Sequence, residues 1–160
     1  MNRAKPFLVL ALVFWLAAAL QQAAAPHMRL LGAMPDFLLV SGLTCAVFFE
    51  PVVAALFGFI AGVLHGGVTG SDMANLTVSR TLVCYGAGFV SRLQLDVRPW
   101  YVSLVVLGGT LAARLLMMIP APPPEVWPYL RDTIVAAMYN GVLALPLYVL
   151  LRRSLRPKVN

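Results

Sequence analysis

The stretch FLLVSGLTCAVFFEPVVAALFGFIAGVL, residues 37–64, decides how many times this chain crosses a membrane. It is apolar apart from Glu50-Pro51, and it admits two readings: one long kinked helix, or two short helices meeting at a tight turn. Pro51 removes a backbone donor, and Glu50 would be costly at the centre of a bilayer. A turn at the membrane surface is therefore the cheaper solution. Asp36 then caps the second helix from in front. That helix has only thirteen residues without a charge, Phe37 to Phe49, or about 20 Å of helix. It is short for a hydrocarbon core of about 30 Å, so it thins the bilayer or is shielded by its neighbours.

Outward from this stretch the composition is of one kind. Of 160 residues, 61% are hydrophobic and 11% charged, which is too little polar sequence to coat a soluble globule. A crossing takes about 20 apolar residues, so the chain accommodates roughly five or six crossings and no separate soluble domain. The expected fold is all-α and integral to the membrane: one transmembrane domain over residues 1–160, a compact bundle of six helices. The spans fall at about 6–25, 36–49, 51–66, 74–91, 99–119 and 132–151.

Charge parity tests the count. Eight of the twelve Lys and Arg residues lie in three places: Arg3 and Lys5 at the start, Arg92 and Arg98 in an internal turn, and Arg152, Arg153, Arg156 and Lys158 at the end. With a cytoplasmic N-terminus, six crossings return all three clusters to the cytoplasmic side, whereas five would strand the basic tail outside. Both termini are thus expected in the cytoplasm. The formal charge of +6 meets anionic lipid rather than nucleic acid. Arg3, Lys5, the run Phe7 to Leu20 and Ala23-Ala24-Ala25 resemble a secretory signal. Pro26 would directly follow the cut, a poor fit for an extended protease substrate, so this segment reads as an uncleaved first helix.

Small residues mark close helix packing. Gly58, Gly62 and Gly66 stand at four-residue spacing on one face of the third span, and Gly108 with Ala112 and Gly109 with Ala113 give the fifth span a similar surface. Such faces let another helix approach, within the bundle or from a partner. Asn140, near the middle of the last span and followed by Gly141 and Pro146, is placed to bridge helices, while Pro146 permits a kink. Arg80 and Arg114 lie inside the fourth and fifth spans, toward the outer side, where ionisable groups are normally paired or open to water. Arg114 reads as snorkelling to outer headgroups, with membership of an outer polar cluster as the sharper alternative. Arg80 reads as paired, with Asp36, Asp72 and Asp132 as candidate partners in an outer polar cluster.

A catalytic set is not legible. No Ser, His and acid stand in a plausible arrangement, and there is neither a His-Glu-x-x-His nor a phosphate-cradling Gly-Lys-Ser. Cys45 and Cys84 lie inside apolar blocks as packing residues, and His65, read as part of a tight outer turn up to Asp72, lacks a second ligand at metal spacing. No cofactor or metal is expected. The absence of a catalytic set favours a binding or scaffold role over an enzyme.

Three stretches resemble the bacterial rod shape-determining protein family MreD. Met34-Pro35-Asp36-Phe37-Leu38-Leu39-Val40 resembles that family's approach to its second helix. Gly58-Phe59-Ile60-Ala61-Gly62-Val63-Leu64 resembles its glycine-rich third helix. Asn140-Gly141-Val142-Leu143, then Pro146 and Leu150-Leu151-Arg152-Arg153, looks like its last helix and basic exit. The order of these stretches, the length and the basic tail agree over the whole chain. One departure follows Leu64: many members carry an acid where this chain has His65, and Asp72 need not replace it. The resemblance implies a non-enzymatic subunit of the cell-elongation machinery in the bacterial inner membrane. It would bind the single-span protein MreC and, through the assembly, the actin-like MreB, the glycosyltransferase RodA and a penicillin-binding transpeptidase. The resemblance also implies a fold similar to the substrate-binding subunits of energy-coupling-factor transporters, and hence the competing expectation of a vitamin-binding subunit. A third possibility, a membrane enzyme clamping lipid phosphates with Arg80 and Arg114, lacks a visible nucleophile.

Overall fold

Proline and glycine set the helix ends in this chain. In the computed structural model, which describes residues 4–92 and 98–155, the helices are α1 (Ala4–Ala23), α2 (Phe37–Ala46), α3 (Pro51–Thr69), α4 (Met73–Arg92), α5 (Pro99–Met117) and α6 (Val126–Leu155). Pro51 and Pro99 are the first residues of α3 and α5, where a missing N–H costs nothing and a fixed φ suits the helix. Asp36 caps α2, its carboxylate accepting from the Leu39 N–H at 2.9 Å. Gly70 stops α3 in the left-handed region at φ 68°, and its N–H returns to the Gly66 carbonyl at 2.9 Å. No strand occurs among the described residues.

Four boundaries differ by three residues or more from the sequence-based expectation: α2 ends at Ala46 rather than 49, α6 ends at Leu155 rather than 151, and the end of α3 and the start of α6 also move. The third helix runs on to Thr69 rather than ending at 66, so His65 lies within a helix and not in the outer turn. The helix continues through Gly66 and Gly67, and at Gly66 α4 approaches closely: a Cβ there would stand 2.7 Å from the Met73 Cα. The last helix begins at Val126, six residues before the expected 132. Pro128 falls in its first turn, where proline breaks no helical hydrogen bond. Arg3, Arg156 and Lys158 of the basic clusters lie outside the described residues, as do 93–97 of the turn between Arg92 and Arg98.

Helix α2 is the post around which the rest packs. Nine of its ten residues are buried, and it touches every other helix. One side, through Leu39, Val40 and Leu43, joins Val102 and Val106 of α5 and Ala144 and Tyr148 of α6. The other, through Leu38 and Cys45, joins Val13 and Phe14 of α1, Phe57 and Ala61 of α3 and Leu151 of α6. Its shortness, about 15 Å, is thus accommodated by enclosure among longer neighbours.

The outward faces are apolar. Phe7, Trp15, Val52, Leu56, Val78 and Val142 are all more than half exposed, an arrangement costly in water and suited to lipid. Four helices, α1, α3, α5 and α6, are long and apolar enough to cross a membrane, the make-up of a multi-pass membrane protein. α4 matches them in length but carries Thr77, Ser79, Arg80 and Thr81. The three hydroxyls bond back to carbonyls of their own helix, to Met73, Leu76 and Thr77, at 2.7, 3.2 and 2.7 Å, and Arg80 is buried. The polarity of α4 is therefore largely internal.

Candidate functional site

The start of α2 lies among the end of α1, the end of α3, the early turns of α4 and the middle of α6. The chain meets that helix start with side chains from four helices. The Phe37 N–H donates to Gln21 Oε1 at 2.8 Å, and Gln21 Nε2 donates to the Pro35 carbonyl at 3.4 Å. The Asp36 N–H donates to Asn140 Oδ1 at 3.0 Å, while Asn140 Nδ2 donates to Thr110 Oγ1 on α5 at 3.3 Å. Asn140 and Thr110 have no exposed surface, and Gln21 is buried. A buried helix start needs these partners, because its first N–H groups have none within the helix.

Two basic side chains meet the Asp36 carboxylate. Arg80 Nη2 forms an ion pair with Asp36 Oδ2, and His65 Nδ1 lies 3.3 Å from Asp36 Oδ1 and 2.7 Å from Arg80 Nη2. The Arg80 side chain is 3% exposed against 14% for His65 and 17% for Asp36, so the guanidinium is the innermost group. A charge at that depth is tolerated only with its partner in place. Arg80 Nη1 is buried and has no hydrogen-bond partner, which leaves the guanidinium anchored through Nη2.

Glycines explain how Arg80 gets there. A Cβ on Gly58 would collide with the Arg80 carbonyl, and one on Gly62 with the Thr77 backbone. The Gly58, Gly62 and Gly66 face is thus covered by α4 of the same chain. Gly109 is filled by the Leu43 side chain, which a Cβ there would meet at 2.7 Å, and Ala113 is buried. Pro146 stands on a lateral groove between α1 and α6.

Of the five residues expected in an outer polar cluster, the structure joins Asp36 and Arg80 and places the others apart. Asp72 is exposed and caps α4, accepting from the Asn75 N–H at 3.2 Å. Arg114 is half-buried; its carbonyl accepts from the Tyr129 hydroxyl at 2.8 Å, and its side chain makes no ion pair among the described residues. Asp132 lies beside Gly32, where a Cβ would stand 3.3 Å from its Oδ1. His65, Gln21 and Thr110 were not expected in the cluster. For His65 a signal existed: it follows Gly62 by three residues and so shares the face that α4 covers. For Gln21 and Thr110 the sequence carries no comparable mark.

The arrangement ties helices together rather than presenting reactive groups. Among the described residues no three of His, Cys, Asp and Glu gather as a metal site. Cys45 and Cys84 are buried free thiols. No family model, no curated protein and no solved structure matches this chain.

Proposed function

We propose that the chain is an MreD-like, non-catalytic scaffold of the bacterial cell-elongation machinery. It sits in the inner membrane with six crossings and both termini in the cytoplasm, and it holds an MreC-like single-span protein. Through that protein it supports cell shape and peptidoglycan synthesis by MreB, RodA and a penicillin-binding transpeptidase. The observation that carries this reading is convergence. The first and last of the three stretches that resemble MreD meet through the Asp36 N–H on Asn140, and the second packs through Gly58 and Gly62 on the segment bearing Arg80, the partner of Asp36.

Two further features support a scaffold. Of the polar groups that a metabolite pocket would use, Arg80 and Asn140 are engaged with Asp36, and Asp72 caps α4. The outside of the bundle carries aliphatic grooves, one of about 460 Å³ between α4 and α5 that includes Gly86 and Gly108 and one of about 320 Å³ between α1 and α6. A Cβ added at Gly86 or Gly108 would meet nothing within 4 Å. Such shallow, small-residue surfaces suit a partner helix. Depletion of the protein in its own bacterium is the test: rod-shaped cells should round up and widen. Unchanged width and growth after depletion would contradict the proposal.

A further inference from the structure

One nitrogen in the polar cluster has two incompatible neighbours. His65 Nδ1 is 2.7 Å from Arg80 Nη2 and 3.3 Å from Asp36 Oδ1. A guanidinium only donates, so the Arg80 contact needs a bare Nδ1 lone pair and the ring proton on Nε2. The carboxylate only accepts, so the Asp36 contact needs a proton on Nδ1. One state of the ring satisfies one neighbour, and the other state satisfies the other.

We propose that His65 is a proton-operated latch on the start of α2. With a neutral ring, Nδ1 accepts from Arg80 Nη2, and the charges of Arg80 and Asp36 balance. When a proton arrives on Nδ1, two donors face each other across 2.7 Å. Arg80 Nη2 leaves the ring, and Nδ1–H turns to Asp36 Oδ1. No bond other than N–H forms, and the cluster gains one positive charge.

The surroundings make the change consequential. Among the described residues, the charged groups against His65 are Asp36 at the start of α2 and Arg80 on α4. Helices α1 and α6 bring only the neutral amides of Gln21 and Asn140, which hold the backbone at Asp36 and Phe37. Asp72, at the start of α4, is engaged with Asn75. Nothing nearby offsets the added charge except the carboxylate that caps α2. Because glycine contacts lock the backbones of α3 and α4 together, the response falls on the Arg80 side chain, free at Nη1, and on the grip of Asp36.

The chain contains two histidines, so His27→Gln leaves His65 as the sole imidazole. Nuclear magnetic resonance of isotope-labelled histidine and arginine in lipid nanodiscs, from about pH 8 to about pH 5, reads the ring and the guanidinium together. The expected result is an Nε2–H tautomer at the upper end, conversion to imidazolium as the pH falls, and movement of the Arg80 side-chain signals with the same midpoint. The melting temperature should fall by a few degrees over that step, and the fall should vanish in His65→Gln. A neutral ring carrying its proton on Nδ1, a ring that does not titrate in the range, or Arg80 signals indifferent to the titration would each overturn the latch.

Discussion

At Arg80 a full positive charge is held inside a helix bundle by one carboxylate and one ring nitrogen. Removing one partner of a buried pair leaves the other uncompensated, at a cost of about 3 kcal/mol or more. Arg80→Met is expected to destabilise the protein by that amount, and Asp36→Asn, which keeps an acceptor for the Leu39 N–H, by somewhat less. The double variant should be more stable than the sum of the two losses implies, because each change removes the reason for the other's cost. Thermal unfolding of the four proteins in one detergent checks this; strict additivity would show that the pair is not coupled. Asn140→Ala is expected to cost about 1–2 kcal/mol, since it orphans the Asp36 N–H and removes a tie to Thr110.

Between elements, the glycines divide into two sets by what lies opposite them. At Gly58 and Gly62 a Cβ would meet the α4 backbone, which cannot move aside as a side chain could. Alanine there should cost roughly 1–3 kcal/mol through overpacking. At Gly86 and Gly108 nothing lies within 4 Å of a Cβ, and alanine should be neutral or gain up to about 1 kcal/mol of helix propensity. Melting temperatures of the four single variants in isolated protein sort the sets, and a loss at Gly86 or Gly108 as large as at Gly62 would contradict the packing described. The elements also show what was legible in the sequence. Pro51 opens α3 and Asp36 caps α2 because both act through the local backbone, whose rules are visible residue by residue. The end of α3 is not legible, because Gly66-Gly67 looks like a turn until α4 is seen to require the missing Cβ at Gly66. Nor did the sequence choose among Asp36, Asp72 and Asp132 as the partner of Arg80. Three acids were available, and only the packing of the start of α2 against α4 brings Asp36 within reach.

For the whole molecule, the helix order places the Asp36, His65 and Arg80 cluster at the end of the bundle opposite the start of α1 and the end of α6. The proposed orientation makes that end external. With Cys45 and Cys84 replaced by alanine, a cysteine at exposed Ser71 should react with an impermeant maleimide on intact cells, and one at exposed Ser154 only after permeabilisation. Labelling of both from the same side would break the proposed six crossings. In the proposed function, the glycine faces and buried charges of the bundle serve its own packing, while its outer sides are for another membrane protein. Purification of the tagged chain from native membranes in mild detergent tests this most directly. The account predicts that an MreC-like single-span protein co-purifies in near-stoichiometric amount. Well-folded chain recovered without such a partner, or carrying a tightly bound small metabolite instead, would contradict it.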